Sequence, residues 1–224
     1  MRNLTFIFAL FVSNAIFSQV SFSGGMGFLK GFGIDKTFTG LNLGVELPRS
    51  PEVTFYGRFG YYFPRQEDQK STTLVTAIDQ TTNPFSLQVQ YARTLNYVTI
   101  EGGTRRYIGN DYDNGFGMYG GTNFMLFFNT VKRDYDKRDI NDLVEWKDKY
   151  QLPVNEQDKG NIISAAVGLQ GGAKYTIPAT GTFFFDVNLQ YVILGKANNA
   201  VANNSQLYAP LFFIFSLGYR KDLY

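Results

Sequence analysis

Residues 183–193 read Phe183-Phe184-Phe185-Asp186-Val187-Asn188-Leu189-Gln190-Tyr191-Val192-Ile193. One parity carries Phe183, Phe185, Val187, Leu189, Tyr191 and Ile193, and the other carries Asp186, Asn188 and Gln190. Successive side chains of a strand point to opposite faces, so the stretch predicts a strand with one apolar and one polar face. Its length exceeds the roughly 5–6 residues of a soluble strand and matches the roughly 9–11 of a tilted strand that crosses a bilayer.

The same alternation recurs on both sides. In 161–175, Ile163, Ala165, Val167, Leu169, Ala173 and Tyr175 face Ser164, Gly168, Gln170, Gly172 and Lys174; in 209–220, Leu211, Phe213, Phe215, Leu217 and Tyr219 face Ser216, Gly218 and Arg220. Segments 20–30, 39–47, 53–63, 97–107 and 116–128 complete a set of eight. The apolar parity is large and aromatic, and the other holds Gly, Asn, Gln, Ser and isolated charges. A closed barrel with a narrow interior and lipid outside uses that arrangement. The expected fold is therefore all-β: a closed antiparallel transmembrane β-barrel of eight strands, with ten as the alternative. The competing class is a soluble sandwich or lipocalin-like barrel.

Ten strands would result if 71–79 and 85–94 formed an extra spanning pair. The turn Thr81-Thr82-Asn83-Pro84 and the Thr-rich character of 71–79 favour instead a long hairpin rising above the membrane. Pairing 79 with 86 would then set 63 opposite 102 and 53 opposite 112.

Composition narrows the chemistry. The 224 residues include no Cys and no His, so thiol catalysis, thiolate metal sites, disulfides and His-dependent triads are excluded. A net charge of +2 argues against a strong polyanion binder or a nucleic-acid-binding tail. No P-loop, dinucleotide fingerprint or EF-hand loop is present. No catalytic residue, metal ligand or cofactor site is assigned, and the chain is read as not an enzyme. Met1-Arg2-Asn3 followed by the apolar run Leu4–Val12 reads as a signal peptide ending at Ser18, too short to span a membrane. The domain assignment is thus 1–18 signal peptide and 19–224 barrel, with long outer loops at 64–96 and 129–160.

The 129–160 segment carries 7 basic and 8 acidic residues. It reads either as a solvated loop or as holding a short helix on Ile140, Leu143, Val144 and Lys147, capped by Asp139. The single tryptophan, Trp146, lies here; exposed, it would offer a contact surface with Ile140, Leu143 and Val144, and packed, it would anchor the loop.

Parity sends Glu46, Arg58, Glu101, Arg105, Lys174, Asp186 and Arg220 inward. Ions away from bulk water persist when paired, so these three acids and four bases predict a cross-linked lumen rather than an open pore; a small wet channel is the other reading. Tyr61, Tyr62, Phe63, Phe127, Phe128, Tyr191 and Tyr208 lie toward the predicted outer ends, and Tyr107, Tyr175 and Tyr219 toward the periplasmic ends. Such aromatics form interfacial girdles.

Three stretches carry a resemblance: Ile100-Glu101-Gly102-Gly103-Thr104-Arg105-Arg106-Tyr107, Gly115-Phe116-Gly117-Met118-Tyr119-Gly120-Gly121, and Phe215-Ser216-Leu217-Gly218-Tyr219-Arg220. With them the chain resembles the small outer-membrane β-barrel proteins of the Bacteroidota, similar in architecture to the OmpA transmembrane domain and OmpX. The resemblance implies a bacterial outer-membrane location, outer-membrane lipid around the barrel, and handling by the barrel insertion machinery. The terminal Tyr224 is similar to the end of that machinery's recognition signal, although Lys221 and Asp222 interrupt the pattern and shift the weight to Tyr219. The resemblance is almost silent about activity; the large projecting loops favour a structural, adhesive or accessory role, with an envelope protein as partner through them. The alternative is a narrow channel or small-solute transporter.

Overall fold

The computed structural model describes residues 20–34, 36–153, 158–198 and 209–223. The signal-peptide segment, Tyr208 and Tyr224 lie outside the described residues. Ten strands make one antiparallel sheet: β1 Val20–Gly31, β2 Thr37–Ser50, β3 Val53–Gln66, β4 Ser71–Ala77, β5 Ser86–Ile108, β6 Gly115–Asp139, β7 Tyr150–Gln151, β8 Lys159–Ile177, β9 Gly181–Ala197 and β10 Leu211–Leu223. No helix occurs among the described residues.

The sheet closes on itself. Neighbours run β3-β2-β1-β10-β9-β8-β6-β5, and β5 pairs back to β3, leaving β4 and β7 outside a ring of eight. Register partners followed from Ser21 lead through Glu46, Tyr56, Gly103, Asn123, Gly168, Gln190 and Phe212 back to Gly31, ten residues further along β1. For eight strands, that stagger corresponds to a tilt of about 40° and a backbone radius of about 8 Å, room enough for side chains alone.

Alternation sets the two faces. Outward positions such as Leu43, Phe59, Ile100, Phe116, Leu169, Phe183 and Leu217 are exposed apolar side chains. Inward positions are buried whatever their chemistry, from Asn188 and Ser216 to Arg220 and Phe212. Glycine opens space where an inward aromatic leans on the neighbouring strand: a Cβ on Gly172 would sit 2.6 Å from the Tyr119 ring. At Gly109, where β5 ends, φ is +97°, a conformation glycine adopts without strain.

One end of the ring is bounded by tight turns (51–52, 109–114, 178–180), and at the other end β5 and β6 run on into a projection. Here the structure differs from the loop assignment. Most of 64–96 and the first part of 129–160 is strand: β5 starts at Ser86, β6 continues to Asp139, and β4 pairs with the upper part of β5. The hairpin forms above the ring as the Thr81–Pro84 turn predicts, but its register is shifted. Ser86 pairs with Thr76 rather than 79, and Val53 pairs with Arg106 rather than 112. The chain is not one continuous hairpin: a bulge between Tyr62 and Arg65, and the segment between β3 and β4, absorb residues that an uninterrupted ladder would have paired.

Candidate functional site

Inside the ring, toward the turn end, is a layer of paired charges. All seven residues sent inward by parity are at most 7% exposed. Arg105 joins two strands, with Nη1 donating to Glu46 Oε2 at 2.8 Å and Nη2 to Asp186 Oδ2 at 2.9 Å. Its guanidinium lies between the Tyr56 and Tyr119 rings, 4.4 and 4.9 Å from their centroids. Arg58 also donates to Asp186 and lies 3.8 Å from Glu101. Arg220 contacts Glu46 at 3.2 Å. Tyr56 donates to Glu101, Tyr107 to Glu46 and Tyr119 to Asp186, so each of those carboxylates also receives a phenol. These contacts tie β2, β3, β5, β6, β9 and β10 together across the lumen.

Lys174 stands apart from that layer. Its ammonium donates to the carbonyls of Asp111 and Asn114 in the turn between β5 and β6. That turn is folded under the lumen. Tyr112 is 4% exposed, its N–H donates to Pro51 O at 3.0 Å, and its carbonyl accepts from Arg220. The turn therefore forms a floor.

Two features escape the sequence reading. Asp222, only 6% exposed, accepts from Ser21 at 2.5 Å and lies 3.2 Å from Arg220 Nε. It makes the inward charges four and four, with Glu46, Glu101, Asp186 and Asp222 against Arg58, Arg105, Lys174 and Arg220. Its parity with Arg220 is the signal that would have found it. Tyr107 is the other. Read as an interfacial aromatic, it is 4% exposed and bonded to Glu46; it shares the inward parity of Glu101 and Arg105. Tyr62 and Phe127 correct in the same way, at 3% and 0%. Tyr61, Tyr175 and Tyr191 face outward and are exposed, and Tyr219 is half-buried on the outer face.

Toward the other end the lumen changes character. Leu29, Phe38, Tyr62, Leu95, Tyr97, Phe127, Val131, Phe212 and Ile214 form one buried cluster. Tyr97 meets Phe38, Phe127 and Phe212 edge-on, with centroids 4.8, 6.1 and 5.6 Å apart. This is an apolar plug across the mouth of the ring.

Above it, the projection has its own small core of Val75, Ala77, Leu87, Val89, Trp146 and Tyr150. Trp146 is packed, its indole donating to Asp136 O at 2.7 Å, so it anchors the segment and is not a contact surface. The 140–147 helix, the alternative to a loop, is absent. Asp139 instead closes a turn, its Oδ1 accepting the N–H groups of Leu143 and Val144 at 2.7 Å each. Those bonds hold its carboxyl below the usual aspartate range. Leu143 and Ile140 are left exposed, and Val144 packs against the projection core. No group of three or more acidic side chains able to hold a metal occurs among the described residues.

No family model and no curated protein matches the sequence. Among solved structures the chain is similar to Ail, the attachment invasion locus protein of Yersinia pestis, in complex with the heparin analogue sucrose octasulfate. That likeness has 14% identity and a TM-score of 0.41 over 91% of this chain and 97% of the other. It is similar to Neisserial surface protein A at 9% identity and TM-score 0.42, over 91% and 95% of the two chains. It is also similar to a major outer membrane protein from Thermus thermophilus at 12% identity and TM-score 0.48, over 92% and 100%.

Proposed function

We propose that this chain is a small bacterial outer-membrane β-barrel of eight spanning strands with a closed lumen, whose work is done by the projection outside the membrane. The observation that carries this reading is the outward belt of exposed apolar side chains around the ring. Soluble proteins rarely expose patches beyond a few hundred Å², whereas a lipid-facing barrel requires them. Spanning β structure must also be closed, because a free edge in hydrocarbon leaves backbone groups unsatisfied. Outer-membrane lipid is then the solvent of the belt, and the barrel insertion machinery is the partner during assembly, with Tyr219 of β10 in the recognition stretch. The lumen supports a structural, adhesive or accessory role over a channel. The Tyr97 plug, the Arg105 network and the Tyr112 floor lie in series along the axis of the ring. Exposed Leu143 and Ile140 on the projection are the place for an envelope protein partner.

The absence of native cysteine makes the test direct. Leu143→Cys is expected to react with a membrane-impermeant maleimide on intact cells, and Ala179→Cys in a tight turn only after the outer membrane is opened. Equal labelling of both sites, or labelling of Ala179→Cys alone, would contradict the proposed topology.

A further inference from the structure

The outward face of the ring carries a groove of about 680 Å³. It follows one ladder line. Gly103, Asn123, Gly168, Gln190 and Phe212 are successive register partners on β5, β6, β8, β9 and β10. The groove is lined along that line by Gly102, Thr104, Phe124, Val167, Leu189 and Leu211. Four interstrand spacings make it about 19 Å long. At the tilt of the ring it rises by about 12 Å toward the projection.

Its lower end is polar at the depth where a lipid-facing wall should be least so. On β6 the exposed apolar side chains reach from Phe116 to Phe128, about 30 Å in height, the thickness of a hydrocarbon core. Thr122 stands at the middle of that belt, and the register sets Thr104 of β5 opposite it. The wall is also interrupted here. Gly103 pairs with Asn123 and Arg106 with Gly120, and among the described residues no pair joins 104–105 to 121–122. The Thr104 carbonyl instead accepts from Gln170 Nε2 at 2.9 Å, a side chain of the lumen. Gly121 leaves room for that carbonyl, since a Cβ there would lie 1.8 Å from Thr104 O. Gln170 is 5% exposed, and its Oε1 has no hydrogen-bond partner among the described residues.

We propose that the groove binds one long-chain, uncharged amphiphile whose head donates a hydrogen bond, a fatty alcohol or a protonated fatty acid; the proposal rests on the outer-membrane reading above. The head lies at Thr104, Thr122 and Gln170 Oε1, and the chain follows the ladder line toward Leu211. The length of the groove exceeds the about 15 Å of half a hydrocarbon core, which selects a long chain. Its polar end lies mid-bilayer, where ionised groups are costly, which selects an uncharged head. The buried acceptor left unpaired on Gln170 costs stability that a donor returns, which selects a hydroxyl. Bilayer phospholipids keep their heads at the surface and bring no donor to this depth, so the site separates its ligand from the lipid around it.

The test uses the full folded chain in phosphatidylcholine nanodiscs, with radiolabelled hexadecanol as probe and empty discs as background. Wild type is expected to bind it saturably. Unlabelled palmitic acid should displace it at low pH, and methyl palmitate, which has the same chain and no donor, about fivefold less well. Thr104→Val with Thr122→Val keeps the shape and removes both hydroxyls. It should weaken binding about twenty-five-fold, at about fivefold per hydroxyl. A Cβ at Gly102 meets nothing closer than 3.7 Å, so Gly102→Leu fills the groove without disturbing the strand and should abolish saturable binding. Gly24→Leu, on the lipid-facing side of β1 and away from the groove, should leave it unchanged. Heat-modifiable gel migration reports whether each variant is folded. Unchanged affinity in the folded threonine variant or in folded Gly102→Leu, or equal displacement by methyl palmitate and palmitic acid, would overturn the proposal. A wild type that fractionates with the outer membrane yet binds no more hexadecanol than empty discs sinks this inference alone. A wild type found outside that membrane sinks the reading beneath it.

Discussion

The two halves of the lumen obey the same geometry and use opposite chemistry. Both are built from inward positions of one ring of eight strands, and both are filled by side chains. Toward the turns the filling is charge: Arg105 held by Glu46 and Asp186 between two tyrosine rings. Toward the projection it is aromatic packing on Tyr97 and Phe212. Burial in a narrow barrel therefore does not select for polarity; it selects for a filled volume with its ions matched. The charged half holds because each of Glu46, Glu101 and Asp186 faces an arginine. Removing one partner leaves a buried charge uncompensated, whereas trimming an aromatic leaves a cavity whose cost depends on how far its neighbours collapse.

The largest expected effect is on the charged half. Arg105→Leu leaves Glu46, Glu101 and Asp186 with only Arg58 and Arg220, one cation short, and should lower unfolding stability by about 3–5 kcal/mol, read from the urea midpoint of the detergent-folded barrel. Adding Asp186→Leu should cost less than the sum of the two single changes, with a coupling of about 1–3 kcal/mol. Additive losses would mean the network is not cooperative. In the aromatic half, Phe212→Ala should cost about 3 kcal/mol, and its double variant with Arg105→Leu should be additive, since Arg105 and Phe212 lie in separate layers.

Smaller and local is Trp146→Ala. It removes the centre of the projection core, so proteolysis between 140 and 150 should accelerate while the urea midpoint of the ring stays within about 0.5 kcal/mol of wild type. A ring that unfolds with the projection would show one cooperative unit where two are expected. The smallest effect concerns Asp139. Its folded pKa is depressed by the Val144 and Leu143 amides, so its contribution is present above the unfolded aspartate pKa and is lost as pH falls through the lower folded value. Amide exchange at Leu143 and Val144, corrected for its intrinsic pH dependence, should quicken on acidification below that range. In Asp139→Asn it should be fast and flat with pH.

The strands and the inward charges are legible in the sequence because alternation is local: Phe183 through Ile193 carries its two faces in its own order. What stays hidden is not local. The apolar plug requires knowing that Phe38, Tyr97, Phe127 and Phe212, from four strands, meet at one height, and height depends on register. Register itself misses by six residues at Val53, since nothing in the residues announces how many the hairpin turn, the segment between β3 and β4 and the bulge after Tyr62 absorb between them. Tyr107 and Asp222 are legible by a parity that places both inside. Residue type points the other way, sending one to a lipid interface and making the other an interruption of a terminal signal. The floor made by Tyr112 cannot be read from a stretch that looks like an ordinary Gly- and Asp-rich turn.

The central claim is that the lumen is sealed in series, by an aromatic plug, a charged layer and the floor made by Tyr112. Conductance of the folded chain in a planar lipid bilayer tests it most directly. Wild type should show no stepwise current, Phe212→Ala alone and Arg105→Ala alone should stay silent, and the two combined with Tyr112→Gly should open discrete steps. Stepwise conductance in folded wild-type protein would contradict the account.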